Sequence, residues 1–363
     1  MMLNKILHYF AVLLFIIFPL VTFSQEAIKT QEVVFSAQND SISYGATVTL
    51  PAKEGQFPSL VILSGSGAQD RDGTMGGQKL FARVAEYITS RGYVVLRMDD
   101  RGVGKTTGNY ENATTEDFAN DALEALRYLK SLPNVDTSLM GLLGHSEGGA
   151  AMSIAATKSR DVSFLVSLAG LATNGYESLL LQNEALVDYS PQSKVDKMRS
   201  NEVNRLMFST AYQYALSDSL ENKLNNTYNY WKEKDDIYFK TLGIEHDHFR
   251  FPIWYYVKQA TGRWYRYFVR YNAEKTLNLI DIPILAINGD QDAFVQSSNL
   301  DHWNVYSAAG RKGKVTTHLL KNTNHLMQYC GSKSPMDYNN LGPIEDSTME
   351  TIVNWLNTII RNK

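Results

Sequence analysis

Apolar and polar positions follow two different patterns in the first half of the chain. Residues 32–37 and 42–50 alternate between apolar and polar side chains, which predicts a half-exposed pair of antiparallel strands. Farther along, wholly apolar runs alternate with stretches of helical periodicity. The apolar runs are residues 60–63, 93–96, 140–143 and 162–168, and the helical stretches are residues 80–90, 115–132 and 149–158. This alternation predicts a mostly parallel central sheet with helices on both faces.

The alternation stops at Gly170 and resumes at residues 282–287. The segment in between is polar and helical over residues 179–226, and over residues 228–271 it is crowded with aromatic side chains. None of its runs is typical of a buried strand. We therefore interpret it as a helical cap inserted between two strands of the sheet.

The sheet pattern continues after the cap, where the sequence predicts a helix over 300–309, a strand over 315–320 and a closing helix over 347–360. The predicted class is therefore α/β, with one core that the cap interrupts. Its predicted parts are residues 25–170 for the first half of the core, 171–277 for the inserted helical cap and 278–363 for the second half of the core.

The first 24 residues have the composition of an export signal. Lys5 lies in a short polar start, residues 9–21 are almost wholly apolar, and Thr22-Phe23-Ser24 resembles a small-residue cleavage site. The apolar run is shorter than the roughly 20 residues that a spanning helix needs. We expect cleavage before Gln25 and an exported protein, periplasmic or secreted, without stable membrane association. A retained membrane anchor is the alternative.

Composition and charge exclude several classes of protein. A formal net charge of −3 gives no overall field that attracts nucleic acid, so no nucleic-acid partner is expected. The single cysteine, Cys330, excludes an intramolecular disulfide and a multi-cysteine zinc site. Residues 102–106 resemble the end of a phosphate-binding loop, but Asp99 stands where that pattern requires glycine. The sequence therefore predicts no metal or organic cofactor.

The pentapeptide Gly144-His145-Ser146-Glu147-Gly148 lies directly between an apolar strand and a helix. A tight strand-to-helix turn exposes a serine hydroxyl beside oxyanion donors, and it needs residues without side chains on both sides of the serine. Ser146 is therefore the candidate nucleophile. The backbone N–H of Glu147, at the start of the helix, is one candidate oxyanion donor.

The second oxyanion donor should come from the loop after the first parallel strand. That loop is Ser64-Gly65-Ser66-Gly67. Ser66 sits where its backbone N–H is expected to point at the nucleophile, and Gly67 is the alternative.

A triad built on such a turn runs in the order serine, acid, histidine. Gly289-Asp290-Gln291-Asp292 closes the strand after the cap and offers two carboxylates. Asp290 lies at the strand end, whereas Asp292 lies farther out in the loop, from where it could reach a histidine on another loop. We favour Asp292 as the acid and interpret Asp290 as a turn residue that accepts backbone N–H bonds.

Seven histidines compete for the role of general base. His8 leaves with the signal, and His145 cannot turn back on its neighbour at the serine turn. Four others lie in the cap, on a surface helix or within a strand: His246, His248, His302 and His318. His325 follows the last strand in a polar loop that is expected to reach over the edge of the sheet, so it is the candidate base.

Six segments carry a resemblance to a known family: 64–72 (SGSGAQDRD), 100–104 (DRGVG), 144–148 (GHSEG), 264–268 (WYRYF), 289–292 (GDQD) and 324–328 (NHLMQ). The chain resembles the lidded bacterial carboxylesterases of the α/β-hydrolase superfamily, of the EstD type, from about Gly45 to its end. The resemblance implies the α/β-hydrolase fold and hydrolysis of short-chain carboxylic esters. It also implies that Asp292 is the triad acid.

The predicted function is cleavage of small-molecule carboxylic esters through Ser146, His325 and Asp292, with an acyl-enzyme intermediate. Two other enzymes on the same scaffold stay open. One is a thioesterase, and the other is a serine aminopeptidase, for which Glu245 or Asp247 of the cap could anchor the substrate amine. A non-catalytic binding protein of the same fold is the remaining alternative. The sequence predicts no oligomeric state.

Overall fold

The computed structural model describes residues 28–39 and 41–361, so the predicted export signal lies outside the described residues. Its strands are β1 (Ile28–Ser36), β2 (Ser43–Pro51), β3 (Phe57–Leu63), β4 (Thr74–Met75), β5 (Gln78–Lys79), β6 (Val94–Met98), β7 (Val135–His145), β8 (Phe164–Leu168), β9 (Ile284–Gly289) and β10 (Val315–Leu320). Its helices are α1 (Leu80–Thr89), α2 (Thr115–Lys130), α3 (Gly148–Lys158), α4 (Gly175–Tyr189), α5 (Lys194–Tyr214), α6 (Leu220–Thr241), α7 (Ile253–Ala260), α8 (Arg263–Phe268), α9 (Ala273–Leu277), α10 (Asn299–Tyr306), α11 (Ala308–Arg311) and α12 (Asp346–Arg361).

Eight strands form one sheet in the order β1-β2-β6-β3-β7-β8-β9-β10. β2 pairs antiparallel with both β1 and β6, whereas every pair from β6 to β10 is parallel. The predicted mostly parallel sheet is therefore confirmed. Because β7 lies between β3 and β8, the turn that follows its carboxyl end is surrounded by the ends of two neighbouring strands.

Helices cover both faces of the sheet because its inner strands place apolar residues at consecutive positions. Leu142 and Leu143 of β7 are both fully buried, and consecutive strand residues point to opposite faces. Leu142 packs in the apolar cluster that includes Ala122 of α2, and Leu143 packs in the cluster that includes Ile88 of α1. A wholly apolar strand is thus explained by burial on both sides.

The helices α4 to α9 lie between β8 and β9, in the segment for which the sequence predicts a cap. They enclose an apolar cluster of their own, with Val203 of α5, Trp231 of α6 and Tyr265 of α8 among its buried members. The boundaries of the cap stay a prediction. Among the helices of the described residues, none is both long enough and apolar enough to cross a membrane.

The sequence pattern does not predict the short hairpin of β4 and β5. Each strand has two residues, too few to establish an alternation. Gly76 and Gly77 between them both have positive φ, 57° and 71°, which suits a two-residue hairpin turn. β7 also begins before the predicted apolar run, because residues 136–138 of that strand are polar.

Candidate active site

Ser146 lies at the turn between β7 and α3. Its φ of 54° is in the left-handed region, which residues with a side chain rarely adopt. The turn is so tight that a Cβ on Gly144 would lie 2.3 Å from the backbone oxygen of Gly148. A Cβ on Gly148 would in turn lie 2.6 Å from the backbone oxygen of Ser64. Only glycine fits at either position, and a strained serine in such a turn is well placed as a nucleophile.

The structure brings Asp292 and His325 together. His325 Nδ1 donates to Oδ2 of Asp292 at 2.8 Å, and the Asp292 side chain is fully buried. The other carboxyl oxygen, Oδ1, accepts the backbone N–H groups of Phe294 and Val295 at 2.8 and 2.9 Å. Because a carboxylate only accepts, the imidazole proton is held on Nδ1, which leaves Nε2 to act as a base.

Asp290 has a different place, at the turn after β9. Its Oδ1 accepts the backbone N–H of Asn322 at 2.7 Å, and its Oδ2 lies 3.5 Å from the ammonium of Lys321. Asp290 thus ties the end of β9 to the loop that carries His325, while Asp292 alone of the two carboxylates contacts the imidazole.

Ser146 and His325 line one cavity of about 250 Å³ between the core and the cap. The ring of Phe294 stacks on the His325 ring at a centroid distance of 5.0 Å. Other lining residues are Val295 from the predicted core, and Leu171, Ser178, Gln182 and Phe268 from the segment predicted as the cap. The candidate nucleophile, the candidate base and residues of the predicted cap therefore line the same cavity.

His145, the residue before the candidate nucleophile, contacts the backbone of His325, the candidate base. Its Nε2 donates to the backbone oxygen of His325 at 2.9 Å, which leaves Nδ1 without a proton. Complete burial and the neighbouring His325 lower the pKa of His145 to about 3, so its ring stays neutral. The sequence correctly predicts that His145 does not turn back on the serine. It does not reveal this contact, because His325 lies far away in the chain.

The loop that holds Ser66 lies directly against the candidate nucleophile. A Cβ on Gly65 would be 2.7 Å from Cβ of Ser146. The backbone N–H of Gly67 donates to the hydroxyl of Tyr110 at 2.7 Å, so it is already used. Within the described part of the chain, the backbone N–H groups of Ser66 and Glu147 take no hydrogen-bond partner. Those two groups are thus available to an oxyanion, whereas Gly67 is not.

The side chain of Glu147 is a feature that the sequence analysis misses. It is buried in the site and accepts hydrogen bonds from the hydroxyls of Ser66 and Thr115 and from Nε1 of Trp264, at 2.7, 2.6 and 2.8 Å. Burial raises the pKa of this carboxyl, although the three hydrogen bonds oppose the shift. The available signal is an acidic residue at a turn whose flanking strand and helix consist largely of small or apolar residues.

Asp100 supports the same loop from the other side. Its carboxyl accepts the hydroxyl of Ser64 at 2.6 Å and the backbone N–H of Gln69 at 2.8 Å. Burial raises the pKa of Asp100 to about 7. The loop between residues 64 and 69 is therefore fixed at both of its ends by one carboxyl group.

The cap acids Glu245 and Asp247 do not reach the cavity. The Glu245 side chain is 88% exposed, and Asp247 is ion-paired with Arg199 at 2.7 Å. Among the described residues, Asp235, Asp236 and Asp247 are close enough together to hold a metal ion. However, Arg199 already binds Asp235 as well as Asp247, so a protein cation occupies that position.

Comparison with known proteins places the chain in a family. The sequence model of the X-Pro dipeptidyl-peptidase family, S15, matches residues 40–327, which is most of the chain. The chain belongs to this family. The matched region of this chain begins near β2 and includes Ser146, Asp292 and His325.

The chain is also similar to individual proteins. It is 24% identical to esterase EstD of Thermotoga maritima over 311 residues, which are 85% of this chain and 64% of the relative, so the match spans less than two thirds of EstD. The predicted resemblance to the EstD type is confirmed.

Two solved structures share the architecture. The α/β hydrolase GrgF of Penicillium sp. sh18 has a TM-score of 0.54 at 17% identity, covering 90% of this chain and 98% of that one. An esterase of Pyrococcus furiosus has a TM-score of 0.52 at 12% identity, covering 92% and 91%. At this identity the likeness concerns the fold, which is the predicted α/β-hydrolase fold.

Proposed function

We propose that this protein is a serine hydrolase that cleaves carboxylic esters, with Ser146, His325 and Asp292 as its triad. One observation carries the proposal: the buried Asp292–His325 pair faces the cavity in which the strained Ser146 lies. Activation of a serine needs a neighbouring base that is oriented by a third group, and this geometry provides one.

The reaction follows from these positions. The hydroxyl oxygen of Ser146 attacks the ester carbonyl carbon, and Nε2 of His325 takes its proton and passes it to the leaving alcohol. The backbone N–H groups of Ser66 and Glu147 stabilise the oxyanion, because they are otherwise unpaired and lie beside the serine. Water then attacks the acyl-enzyme by the same route and releases the acid. No step requires a cofactor.

The lining of the cavity favours a small neutral ester. Its walls include the apolar Leu171, Val295 and Phe268, and its polar side chains Ser178 and Gln182 are uncharged. A volume of about 250 Å³ fits a short acyl chain better than a long one. The carboxyl group among the lining residues, that of Glu147, already accepts three hydrogen bonds, so a charged group of a substrate would find no free counter-ion there.

A peptidase that releases dipeptides is the second candidate, and the family to which the chain belongs favours it. Recognition of a peptide amino terminus needs an available carboxylate. Glu147 is the carboxylate at the cavity, and its oxygens already accept three hydrogen bonds. Ester hydrolysis is therefore the better supported activity.

The test is a substrate panel with wild-type protein and Ser146→Ala. The panel contains p-nitrophenyl esters of increasing acyl length, a thioester, an aminoacyl p-nitroanilide and an X-Pro p-nitroanilide. We expect the highest kcat/KM with short esters, and loss of both turnover and fluorophosphonate labelling in the variant. Faster hydrolysis of the X-Pro amide would support the peptidase. Absence of labelling in the wild type would support a non-catalytic binding protein.

We also propose that the protein is exported, on the basis of residues 1–24 alone. Mass spectrometry of the native protein should give an amino terminus at Gln25. Retention of residues 1–24 in a membrane fraction would instead support the anchor.

A further inference from the structure

The buried carboxyl of Glu147 connects three segments that are distant in the chain. Ser66 belongs to the loop after β3, Thr115 is the first residue of α2, and Trp264 lies on α8 of the cap. All three donate to the carboxyl within 2.8 Å, and Glu147 is 3% exposed. Because hydrogen bonds to a buried carboxyl are hard to replace with water, the group constrains all three segments.

The two oxygens of Glu147 serve different partners. Oε2 accepts the hydroxyl of Ser66, whose backbone N–H is one proposed oxyanion donor. Oε1 accepts the hydroxyl of Thr115 and the indole N–H of Trp264. The contact to the oxyanion loop and the contact to the cap can therefore be removed separately.

The contact to the cap extends to the wall of the cavity. The ring of Trp264 stacks on that of Phe268, with a centroid distance of 4.9 Å and an angle of 15° between the planes. Phe268 lines the cavity and also packs in the apolar cluster that includes Leu142 of β7. A Trp264 fixed to Glu147 thus fixes the position of a substrate-facing side chain.

We propose that the Glu147 side chain is a positioning residue that aligns the oxyanion loop through one oxygen and holds the cap over the cavity through the other. This inference rests on the proposed ester hydrolysis. The backbone N–H of Glu147 is the other proposed oxyanion donor. The Glu147 side chain therefore fixes two positions relative to the turn at Ser146: that of the Ser66 loop, which carries the first donor, and that of Trp264 in the cap.

Two single substitutions separate the two contacts. Trp264→Phe removes the indole N–H and keeps a ring to stack on Phe268. Ser66→Ala removes the hydroxyl and keeps the backbone N–H. The matched controls are Trp254→Phe, on an exposed cap tryptophan, and Ser163→Ala, which removes a 2.7 Å hydrogen bond to the backbone oxygen of Met140 at the opposite end of the sheet.

The two variants should differ in which kinetic constant changes. A loosened cap lowers the population that can bind substrate, so Trp264→Phe should raise KM roughly fivefold to tenfold with kcat within about twofold. A misplaced oxyanion donor weakens binding of the transition state alone, so Ser66→Ala should lower kcat roughly tenfold with KM within about twofold. Both controls should retain the wild-type constants.

Substitution of Glu147 itself provides the rescue experiment. In Glu147→Gln the amide oxygen can accept from Thr115 and Trp264 while the NH₂ group donates to the Ser66 hydroxyl, so both constants should stay within a few-fold of wild type. Glu147→Ala should show the raised KM and the lowered kcat together. Equal effects of Trp264→Phe and Ser66→Ala on both constants, or no effect of either, would overturn the proposal.

A measurement that needs no substrate, amide hydrogen exchange, tests the contact between Glu147 and the cap independently of the proposed ester hydrolysis. Amide hydrogen exchange in α8 should be faster in Trp264→Phe than in Trp254→Phe, because only the first loses its bond to the core. Equal exchange in the two variants would refute the contact between the cap and Glu147. Absence of ester hydrolysis in the wild type would refute the proposed function and leave the exchange result valid.

Discussion

Replacing Asp292 by asparagine tests the acid of the triad most sharply. The amide has the shape of the carboxylate, but only one of its ends can accept. Two backbone N–H groups, of Phe294 and Val295, already donate to Oδ1. The amide oxygen must therefore occupy that position, and the NH₂ group must face His325 Nδ1. Nδ1 then accepts, and the imidazole proton moves to Nε2, where it cannot take the serine proton.

The size of the effect follows from this tautomer. In the serine-protease precedent the same change lowers the rate about 10⁴-fold, which corresponds to about 5.5 kcal/mol of transition-state stabilisation. Stability should change little, because the two backbone hydrogen bonds to the side chain remain. In Asp290→Asn the oxygen can still accept from Asn322, and only the 3.5 Å contact with the exposed Lys321 is lost. A surface pair of that kind contributes less than about 1 kcal/mol, so the rate should fall a few-fold at most.

The assay is kcat/KM for one p-nitrophenyl ester, with thermal melts of both variants. A large rate defect at 292 and a small one at 290 is the expected result. The reverse order would transfer the role of the acid to Asp290. Large and equal defects with unchanged melting temperatures would mean that both carboxylates support His325 and that a single acid is the wrong description.

Three further substitutions have defined outcomes. His145→Phe leaves the backbone oxygen of His325 without its donor, so the free energy of unfolding in urea should fall by about 1–3 kcal/mol and ester hydrolysis should slow. Because burial raises the pKa of Asp100 to about 7, the folded state binds the proton more tightly than the unfolded state, and the contribution of Asp100 to stability should fall as pH rises from about 4 to 7. Asp100→Asn removes this dependence, so its melting temperature relative to wild type should be higher at pH 8 than at pH 5; a constant difference would contradict the assignment. Arg199→Met leaves Asp235, whose side chain is 2% exposed, without its counter-ion, and should destabilise the cap by about 3–5 kcal/mol, measured by urea unfolding followed through cap tryptophans.

The strand-to-helix turn at Ser146 could be predicted from the sequence because the residues that determine it are neighbours in the chain. An apolar strand, a helix and glycines at 144 and 148 are neighbours in the chain, and the lack of space for a Cβ at both glycines explains the spacing. The preference for Asp292 over Asp290 also had a local basis, since a residue farther from the strand end can reach another loop. The observed bond from His325 to Asp292 agrees with that reasoning.

The contacts of Glu147 could not be predicted in this way. Its partner Ser66 lies 81 residues earlier and its partner Trp264 lies 117 residues later, so no local pattern encodes either contact. The choice between Ser66 and Gly67 as the oxyanion donor of the loop likewise depends on a distant side chain. Gly67 is excluded only because the hydroxyl of Tyr110, 43 residues later, accepts its N–H.

The two residues flanking Ser146 show why a five-residue motif can organise a whole site. The side chains of these two residues have different partners. The His145 side chain donates a hydrogen bond to the backbone oxygen of His325, while the Glu147 side chain accepts one from the hydroxyl of Ser66. The candidate base and the candidate oxyanion donor are thereby connected to the candidate nucleophile through its immediate neighbours in the chain. We therefore expect the side chains at positions 145 and 147, which the motif leaves unspecified, to influence the geometry of the proposed site together with its glycines.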